Sequence, residues 1–195
     1  MLPSVLGIVA VLLCAMSPAP VRAGDRCDSA AEGRALEPFE AENGMGYRTA
    51  AGNVVIPPRF AMAFAFSPEC IAAVADTSGW AYIDGAGAVL VRPHVVDNGP
   101  DPFHEDRARY VHEGKFGFID RSARIVIEAR FAYAEPFERG YALVCADCTA
   151  ISDGEHTRMV GKRWGAIDAQ GHFRIEPDFA REAALKQVVR LRDQH

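Results

Sequence analysis

The sequence has no cluster of basic residues, and it has no long hydrophobic run beyond its first 23 residues. Its 26 acidic residues outnumber its 21 basic residues. A mildly acidic protein without basic patches is not expected to bind nucleic acid or an anionic membrane surface. The hydrolase motifs HExxH and GxSxG are also absent. The interpretation therefore depends on the features that are present, which are an apolar leader, a repeated pattern and a few cysteines.

Residues 1–23 have the features of a secretory signal peptide. An apolar run from Val5 to Met16 is followed by two prolines and then by Val21-Arg22-Ala23, a small-residue cleavage site. The run is too short to remain in a bilayer as a span. The sequence thus predicts a signal helix, cleavage near Ala23, a periplasmic or secreted protein, and no membrane span after cleavage.

One short pattern recurs along the rest of the chain. Residues 46, 81, 117 and 165 take equivalent places in four copies, at spacings of 35, 36 and 48. Each copy has a short apolar strand, a turn of small residues, a second strand and, after a linker, a third strand. The pattern predicts an all-β fold of about four 35-residue repeats, each with three short antiparallel strands. The array is either an open solenoid or a propeller-like ring.

The repeats predict a domain at residues 36–192, preceded by an N-terminal arm at 24–35. Its units are expected at about 36–78, 79–113, 114–160 and 161–192. A proline after the second strand, at Pro58, Pro93 and Pro177, is expected to end strand pairing because it lacks a backbone donor. The final segment is expected to form a helical turn at about Ala180–Lys186 and a closing strand at Val188–Arg192.

The segments Trp164-Gly165-Ala166-Ile167-Asp168, Phe116-Gly117-Phe118-Ile119-Asp120 and Val54-Val55-Ile56-Pro57-Pro58-Arg59-Phe60 resemble the WG-repeat family of bacterial proteins. The resemblance extends from Leu36 to about Arg192. It departs from the family pattern where Ala81 follows Trp80 and in the irregular stretch His94–Pro102. The resemblance implies a β-repeat fold and frequent export, and it supplies neither a catalytic centre nor a cofactor.

The motif residues have expected structural roles. Buried aromatic rings contribute on the order of 2–3 kcal/mol each at an interface between units. The glycine after the ring lets the backbone approach that ring or adopt a dihedral angle barred to other residues, and the aspartates accept hydrogen bonds from turn amides. The alternatives are a row of aromatic rings that binds carbohydrate and a set of carboxylates that binds calcium or acts in catalysis. These residues are Trp80, Phe116, Trp164, Gly117, Gly165, Asp84, Asp120 and Asp168.

Four cysteines follow the predicted cleavage site, and an even number in an exported protein favours two disulfides. Cys145 and Cys148 lie in an inserted loop or β-hairpin at residues 145–158, and their turn spacing favours a local disulfide. That pairing leaves Cys27 and Cys70 for each other. The alternatives at the insertion are a metal site formed by Cys145, Cys148 and His156, a redox-active dithiol, and long-range pairings.

The function expected from these features is that of a non-enzymatic, monomeric scaffold or binding module. Its partner is expected to be a protein or a cell-envelope glycan. One alternative is a metal- or redox-responsive module at the insertion. Another alternative is a secreted hydrolase with an acid–base or metal site in the second unit, built from His94, His104, His112, Asp97, Asp101, Glu105 and Asp106.

Overall fold

The computed structural model describes residues 36–153 and 156–193. The protein is mostly β, with small antiparallel sheets and one C-terminal helix. Within the described ranges no sheet closes on itself, and no helix has the length and hydrophobicity that a membrane crossing requires. The predicted signal helix at 1–23 and the arm at 24–35 lie outside the described residues.

Four sheets of three or four strands follow one another along the chain. The first contains β1 (Leu36–Ala41), β2 (Gly44–Thr49) and β3 (Val54–Phe60), and the second contains β4 (Met62–Ala63), β5 (Ala72–Asp76), β6 (Gly79–Ile83) and β7 (Val89–Val91). A small ribbon of β8 (Val95–Val96) and β9 (Gly99–Pro100) precedes the third sheet, which contains β10 (Ala108–His112), β11 (Lys115–Ile119) and β12 (Ile125–Phe131).

The fourth sheet contains β13 (Tyr133–Ala134), β14 (Tyr141–Cys145), β17 (Trp164–Asp168) and β18 (Phe173–Phe179). Between its two central strands the chain adds a separate hairpin of β15 (Thr149–Asp153) and β16 (His156–Val160). The helix α1 spans Arg181–Arg192. In the last three sheets, the third strand of one sequence unit pairs with the first strand of the next unit.

Each motif strand places side chains in two different hydrophobic clusters, because neighbouring residues of a strand point to opposite faces. Phe118 packs in the cluster that joins the third and fourth sheets, whereas Ile119 packs in the cluster that joins the second and third. Tyr82 and Ile83 divide in the same way between the clusters on either side of the second sheet. The core therefore consists of successive clusters. Three are each shared by two consecutive sheets, and the last is shared by the fourth sheet and α1.

The motif glycine is required by a bulge in the strand that follows it. Phe116 pairs with Phe131 and Phe118 pairs with Ile127, so three residues of β12 lie opposite the single residue Gly117. A methyl group on Gly117 would lie 2.5 Å from the carbonyl oxygen of Ile127 and 2.7 Å from the nitrogen of Ala129. The sequence predicts an approach to the preceding ring or an unusual dihedral angle, whereas the backbone that approaches Gly117 is that of this bulge.

The expectation that proline ends strand pairing is wrong for Pro58 and Pro177. Strands β3 and β18 continue past these prolines, and pairing resumes at Met45–Phe60 and Trp164–Phe179. Proline is tolerated at a bulge because the bulged residues do not donate to the strand ladder.

The second sheet shows what happens without the glycine. Ala81 replaces it, and β7 pairs only through Tyr82–Val91 and Ile83–Val89. Among the described residues no return pair opposite Trp80 corresponds to Phe116–Phe131. The chain instead leaves the sheet after Val91 and forms the β8–β9 ribbon.

A repeated arginine contact joins consecutive sheets. The Arg59 guanidinium donates to the carbonyl oxygen of Gly87 at 2.6 Å, and Arg130 donates to the carbonyl oxygen of Gly171 at 2.5 Å. Added methyl groups at these two glycines would lie 3.1 Å from the side chains of Ile56 and Ile127, respectively. The turn of each following sheet thus packs on an isoleucine and an arginine of the sheet before it.

The predicted closing strand at Val188–Arg192 is wrong, because these residues form the second half of α1. Ala184 and Val188 are four residues apart, so in a helix they share one face, and both are buried against Trp164 and Ile175. The segment is also rich in Ala, Leu, Lys, Gln and Arg, which favour a helix. Helical periodicity and propensity outweigh the register of the repeats at this position.

Candidate functional site

The inserted hairpin, β15 and β16, is the element that departs most from the repeated sheets. The motif strands β6 and β11 are joined to the preceding strands by two-residue turns, at residues 77–78 and 113–114. The corresponding connection, between β14 and β17, contains the whole insertion. A connection added to a regular scaffold is a common position for binding residues. The predicted extended hairpin is present, and residues 154–155 of its tip lie outside the described residues.

A disulfide braces the base of the inserted hairpin. The Sγ atoms of Cys145 and Cys148 are 2.04 Å apart, which is the local pairing favoured by the turn spacing. Gly161 packs against this bond, because a methyl group at Gly161 would lie 2.5 Å from one sulfur and 2.6 Å from the other. Asp147 Oδ1 accepts hydrogen bonds from the backbone of Lys162 and Arg163. The two ends of the insertion are therefore fixed to each other.

The strand register gives the inserted hairpin two different faces. Thr149 pairs with Val160 and Ile151 pairs with Arg158, so these four residues share one face. On that face Ile151 and Val160 are 46% and 39% exposed. Met159 belongs to the opposite face and packs on the cluster that contains Trp164. One face is thus held by the core, while the other presents aliphatic side chains to solvent.

An open cleft of about 470 Å³ separates the inserted hairpin from the start of α1. Met159 and Trp164 line it together with an ion pair, in which Arg181 Nε lies 2.6 Å from Glu135 Oε1. The hydrogen bond that Arg181 donates to Glu135 raises the pKa of Arg181, whose guanidinium also lies 5.8 Å from the centre of the Trp164 ring. The cleft therefore combines an apolar floor with a fixed pair of opposite charges.

The sulfur chemistry of this site favours a structural role. Cys145, Asp147 and Cys148 place ligand atoms within 4.8 Å of one another, but sulfurs bonded to each other are not the thiolates that zinc requires. Both cysteines are buried, whereas thiol–disulfide exchange needs access to the sulfur. The side chain of His156 is not described. Its backbone lies four strand residues from Val160, about 13 Å at 3.3 Å per residue, toward the hairpin tip.

The second predicted disulfide involves residues beyond the described ranges. Cys70 is disulfide-bonded and 8% exposed, at a positive φ of 64°. Its predicted partner, Cys27, lies outside the described residues.

The motif aspartates bind the turns that follow them. The Oδ1 atom of Asp120 accepts hydrogen bonds from the amides of Ser122 and Arg124, both at 2.9 Å. Asp84 and Asp168 make the same pair of bonds in their own turns, at 2.9 to 3.0 Å. This geometry is that of turn capping, as the sequence predicts, and each carboxylate faces its own turn.

The motif aromatic residues fall into two groups. Phe116 and Trp164 are buried, and each packs in a hydrophobic cluster of its own sheet with the next element. Trp80 is partly exposed, packs beside Phe64 at 5.8 Å, and donates its indole N–H to the carbonyl oxygen of Asn98. The predicted burial between units is therefore found for Phe116 and Trp164, and Trp80 departs from it.

Three of the four acidic residues of the second-unit hydrolase hypothesis are engaged in structural contacts. Asp101 pairs with Arg109, Asp106 pairs with Arg121 at 2.5 Å, and Glu105 accepts hydrogen bonds from the amides of Arg139 and Gly140. His94 packs edge-on against Phe116 at 5.0 Å, whereas His104 and His112 are exposed. Asp97 is also exposed, with a positive φ of 48°.

The Asp101–Arg109 pair is an anchor that sequence reasoning missed, because it placed Asp101 only in the hydrolase hypothesis and assigned no role to Arg109. Asp101 is 2% exposed and Arg109 is 6% exposed, and two hydrogen bonds of 2.6 and 3.0 Å join their side chains. Arg109 also donates to the carbonyl oxygen of Ala134 in the fourth sheet. The arginine contacts between sheets were missed as well, although Arg59 and Arg130 both directly precede the last phenylalanine of a strand.

Comparison with known proteins finds a family model that matches part of the chain. No curated protein and no solved structure matches the chain. Residues 116–147 match the family model of the WG containing repeat. This segment begins in β11 with Phe116-Gly117, includes the bulged strand β12, and ends two residues after β14. Residues 116–147 of this chain are therefore similar to a WG containing repeat.

Proposed function

We propose that this protein is a non-enzymatic, exported, monomeric binding module that presents the inserted hairpin to a protein at the cell envelope. The signal-like leader supports export, and recovery of a mature chain beginning at Gly24 from a periplasmic fraction is the corresponding measurement. In this proposal about four β-repeats form an open array. The packing of Ile175 against α1, rather than against a further sheet, supports an open end.

The observation that carries this proposal is the exposed apolar face of a braced hairpin. Ile151 and Val160 are on one face of two strands that pair only with each other among the described strands. The disulfide and the packing of Met159 hold that face in place before any partner binds. A rigid surface loses less conformational entropy on association than a mobile loop does.

A protein partner suits this surface better than a glycan. The exposed side chains are aliphatic, whereas sugar recognition commonly uses exposed aromatic rings, and Trp164 beside the hairpin is only 2% exposed. The two outer strand edges of the inserted hairpin also offer backbone groups for strand addition by a partner peptide.

The test compares matched surface variants of the full mature protein. Ile151→Ser combined with Val160→Ser removes the apolar face, and Val54→Ser combined with Val89→Ser removes similarly exposed side chains from the first and second sheets. Immobilised proteins are incubated with cell-envelope extract, and the retained proteins are identified and then purified for a direct binding measurement. We expect binding to be lost with the hairpin variant and kept with the control.

Equal binding by both variants would refute the assignment of the inserted hairpin as the binding surface. Extract treated with protease should lose the bound species, whereas extract treated with glycan-degrading enzymes should keep it. The opposite pattern would show that the partner is a glycan and would contradict the proposal of a protein.

A further inference from the structure

Two junctions between consecutive sheets share an arginine–phenylalanine contact. At the junction of the first and second sheets, the guanidinium carbon of Arg59 lies 5.0 Å from the centre of the Phe60 ring. At the junction of the third and fourth sheets, Arg130 lies over the Phe131 ring, also at 5.0 Å. Each arginine donates a hydrogen bond to a glycine carbonyl of the following sheet. The two junctions can therefore be compared position by position.

The two junctions differ at the first residue of the strand that follows the motif turn. This residue is Val89 in the second sheet and Phe173 in the fourth sheet, and each pairs with the isoleucine of its motif strand. The Phe173 ring centre lies 5.8 Å from the Arg130 guanidinium carbon and 6.0 Å from the centre of the Phe131 ring. Arg130 therefore lies near two aromatic rings, whereas Arg59 has a valine at the position of the second ring.

An open cleft of about 420 Å³ lies at the junction that carries the valine. Val89 is 48% exposed there. The residues that line the cleft are Arg59, Phe60, Asp76, Thr77, Gly87 and Val89. Because valine lacks the ring that Phe173 carries, this cleft corresponds to the space that a phenylalanine ring occupies at the other junction.

We propose that this cleft binds an aromatic side chain of a peptide ligand, in the place that Phe173 takes beside Arg130. A planar guanidinium attracts the face of an aromatic ring and stacks on it. The hydrogen bond from Arg59 to Gly87 already orients the guanidinium, so less side-chain entropy is lost on binding. An aliphatic side chain would gain the apolar contact with Val89 but not the attraction to the guanidinium.

The test measures binding of N-acetyl-phenylalaninamide to the full mature protein with its disulfides intact. The signals are the chemical shifts of isotope-labelled methyl groups of Val89 and Thr77, which both line the cleft. We expect saturable shifts with a dissociation constant on the order of 1 mM, as suits a ligand of this size. N-acetyl-leucinamide is the matched aliphatic probe and should bind about fivefold more weakly, because it lacks the cation–π attraction.

Three variants locate the site. Val89→Phe supplies the ring from the chain itself, as Phe173 does, and should weaken binding at least tenfold. Val54→Phe is the matched control, because Val54 is 54% exposed at the corresponding position of the first sheet and is not part of the cleft lining. It should leave the affinity unchanged. Arg59→Lys keeps the positive charge but removes the planar guanidinium, and it should weaken binding severalfold.

Equal affinities for the two amides would overturn the aromatic preference. Unchanged affinity in Val89→Phe would overturn the location of the site, and unchanged affinity in Arg59→Lys would overturn the role of the guanidinium. The absence of saturable shifts in the unmodified protein at ten times the expected dissociation constant would overturn the whole proposal. The measurement does not use the partner of the inserted hairpin, so its failure would leave the proposed function untouched.

Discussion

The substitution Gly117→Ala tests the explanation of the motif glycine most directly. It adds one methyl group on a strand where the bulge of β12 crosses the backbone. The added carbon would meet the carbonyl oxygen of Ile127, the nitrogen of Ala129 and the ring of Tyr110, each within 2.7 Å. Two of these three atoms belong to the backbone, so a change of side-chain rotamer cannot relieve the contacts, and the strand has to move.

The expected cost follows from two contributions. Overpacking a closely packed site costs about 1–3 kcal/mol, and displacing the return strand weakens one or two ladder hydrogen bonds at about 1 kcal/mol each. We therefore expect Gly117→Ala to lower the free energy of unfolding by about 2–5 kcal/mol. Gly165 lies in the same geometry opposite Ile175 and Pro177, so Gly165→Ala should have a similar effect.

The assay is urea denaturation of the mature protein, followed by tryptophan fluorescence, since Trp164 is buried in the folded state. Gly114→Ala is the matched control, because a methyl group there meets open space while φ is 73°. Its cost should be only the left-handed backbone strain, about 1 kcal/mol. If Gly117→Ala cost no more than Gly114→Ala, the close approach of the bulge would not be the reason for glycine at this position.

Three further predictions concern other contacts. Replacing Cys145 and Cys148 together by alanine should lower the free energy of unfolding by about 2 kcal/mol from the entropy of a four-residue loop, and should increase hydrogen exchange in the inserted hairpin. Asp101→Ala should cost about 3–5 kcal/mol in urea denaturation because it leaves Arg109 buried without its partner, whereas Asp101→Leu combined with Arg109→Met should cost less. Burial and, secondarily, the nearby Arg109 lower the pKa of His94. As pH falls below about 6.5, His94 therefore binds a proton more readily in the unfolded chain than in the folded chain. Stability measured by thermal denaturation should decline over that range, and the decline should be smaller for His94→Gln.

The short strands and their turns were predictable because the responsible interactions are local. An apolar pair followed by aspartate and a small-residue turn specifies a strand end with its own hydrogen-bond acceptor, as Asp120 shows. Short apolar runs indicate the third strands of the second and third units, which lie at Ala108–His112 and Tyr141–Cys145. The local disulfide and the hairpin beyond it also followed from spacing within a few residues.

The remaining features depend on contacts between distant residues. Proline alone indicates a strand end, and only the register against Gly46 or Gly165 shows that pairing resumes beyond it. The register of the repeats favoured a strand at Val188. Ala184 and Val188 are both buried beside Trp164, and residues four apart share one face of a helix. At the candidate site, the position of the insertion was predictable from the sequence. Only the strand register shows that Met159 lies on the face toward the core and Ile151 on the face toward solvent.

The helix α1 has a consequence for how chains of this kind change in length. Ile56 and Ile127 each receive the glycine turn of a following sheet, whereas Ile175 is covered by Ala184 and Val188. Gene duplication that adds a unit directly after Phe179 would place its turn where the helix already lies. Units gained by duplication inside the array meet no such competition, so lineages of this protein should vary in the number of internal repeats while keeping the sheet–helix pair intact.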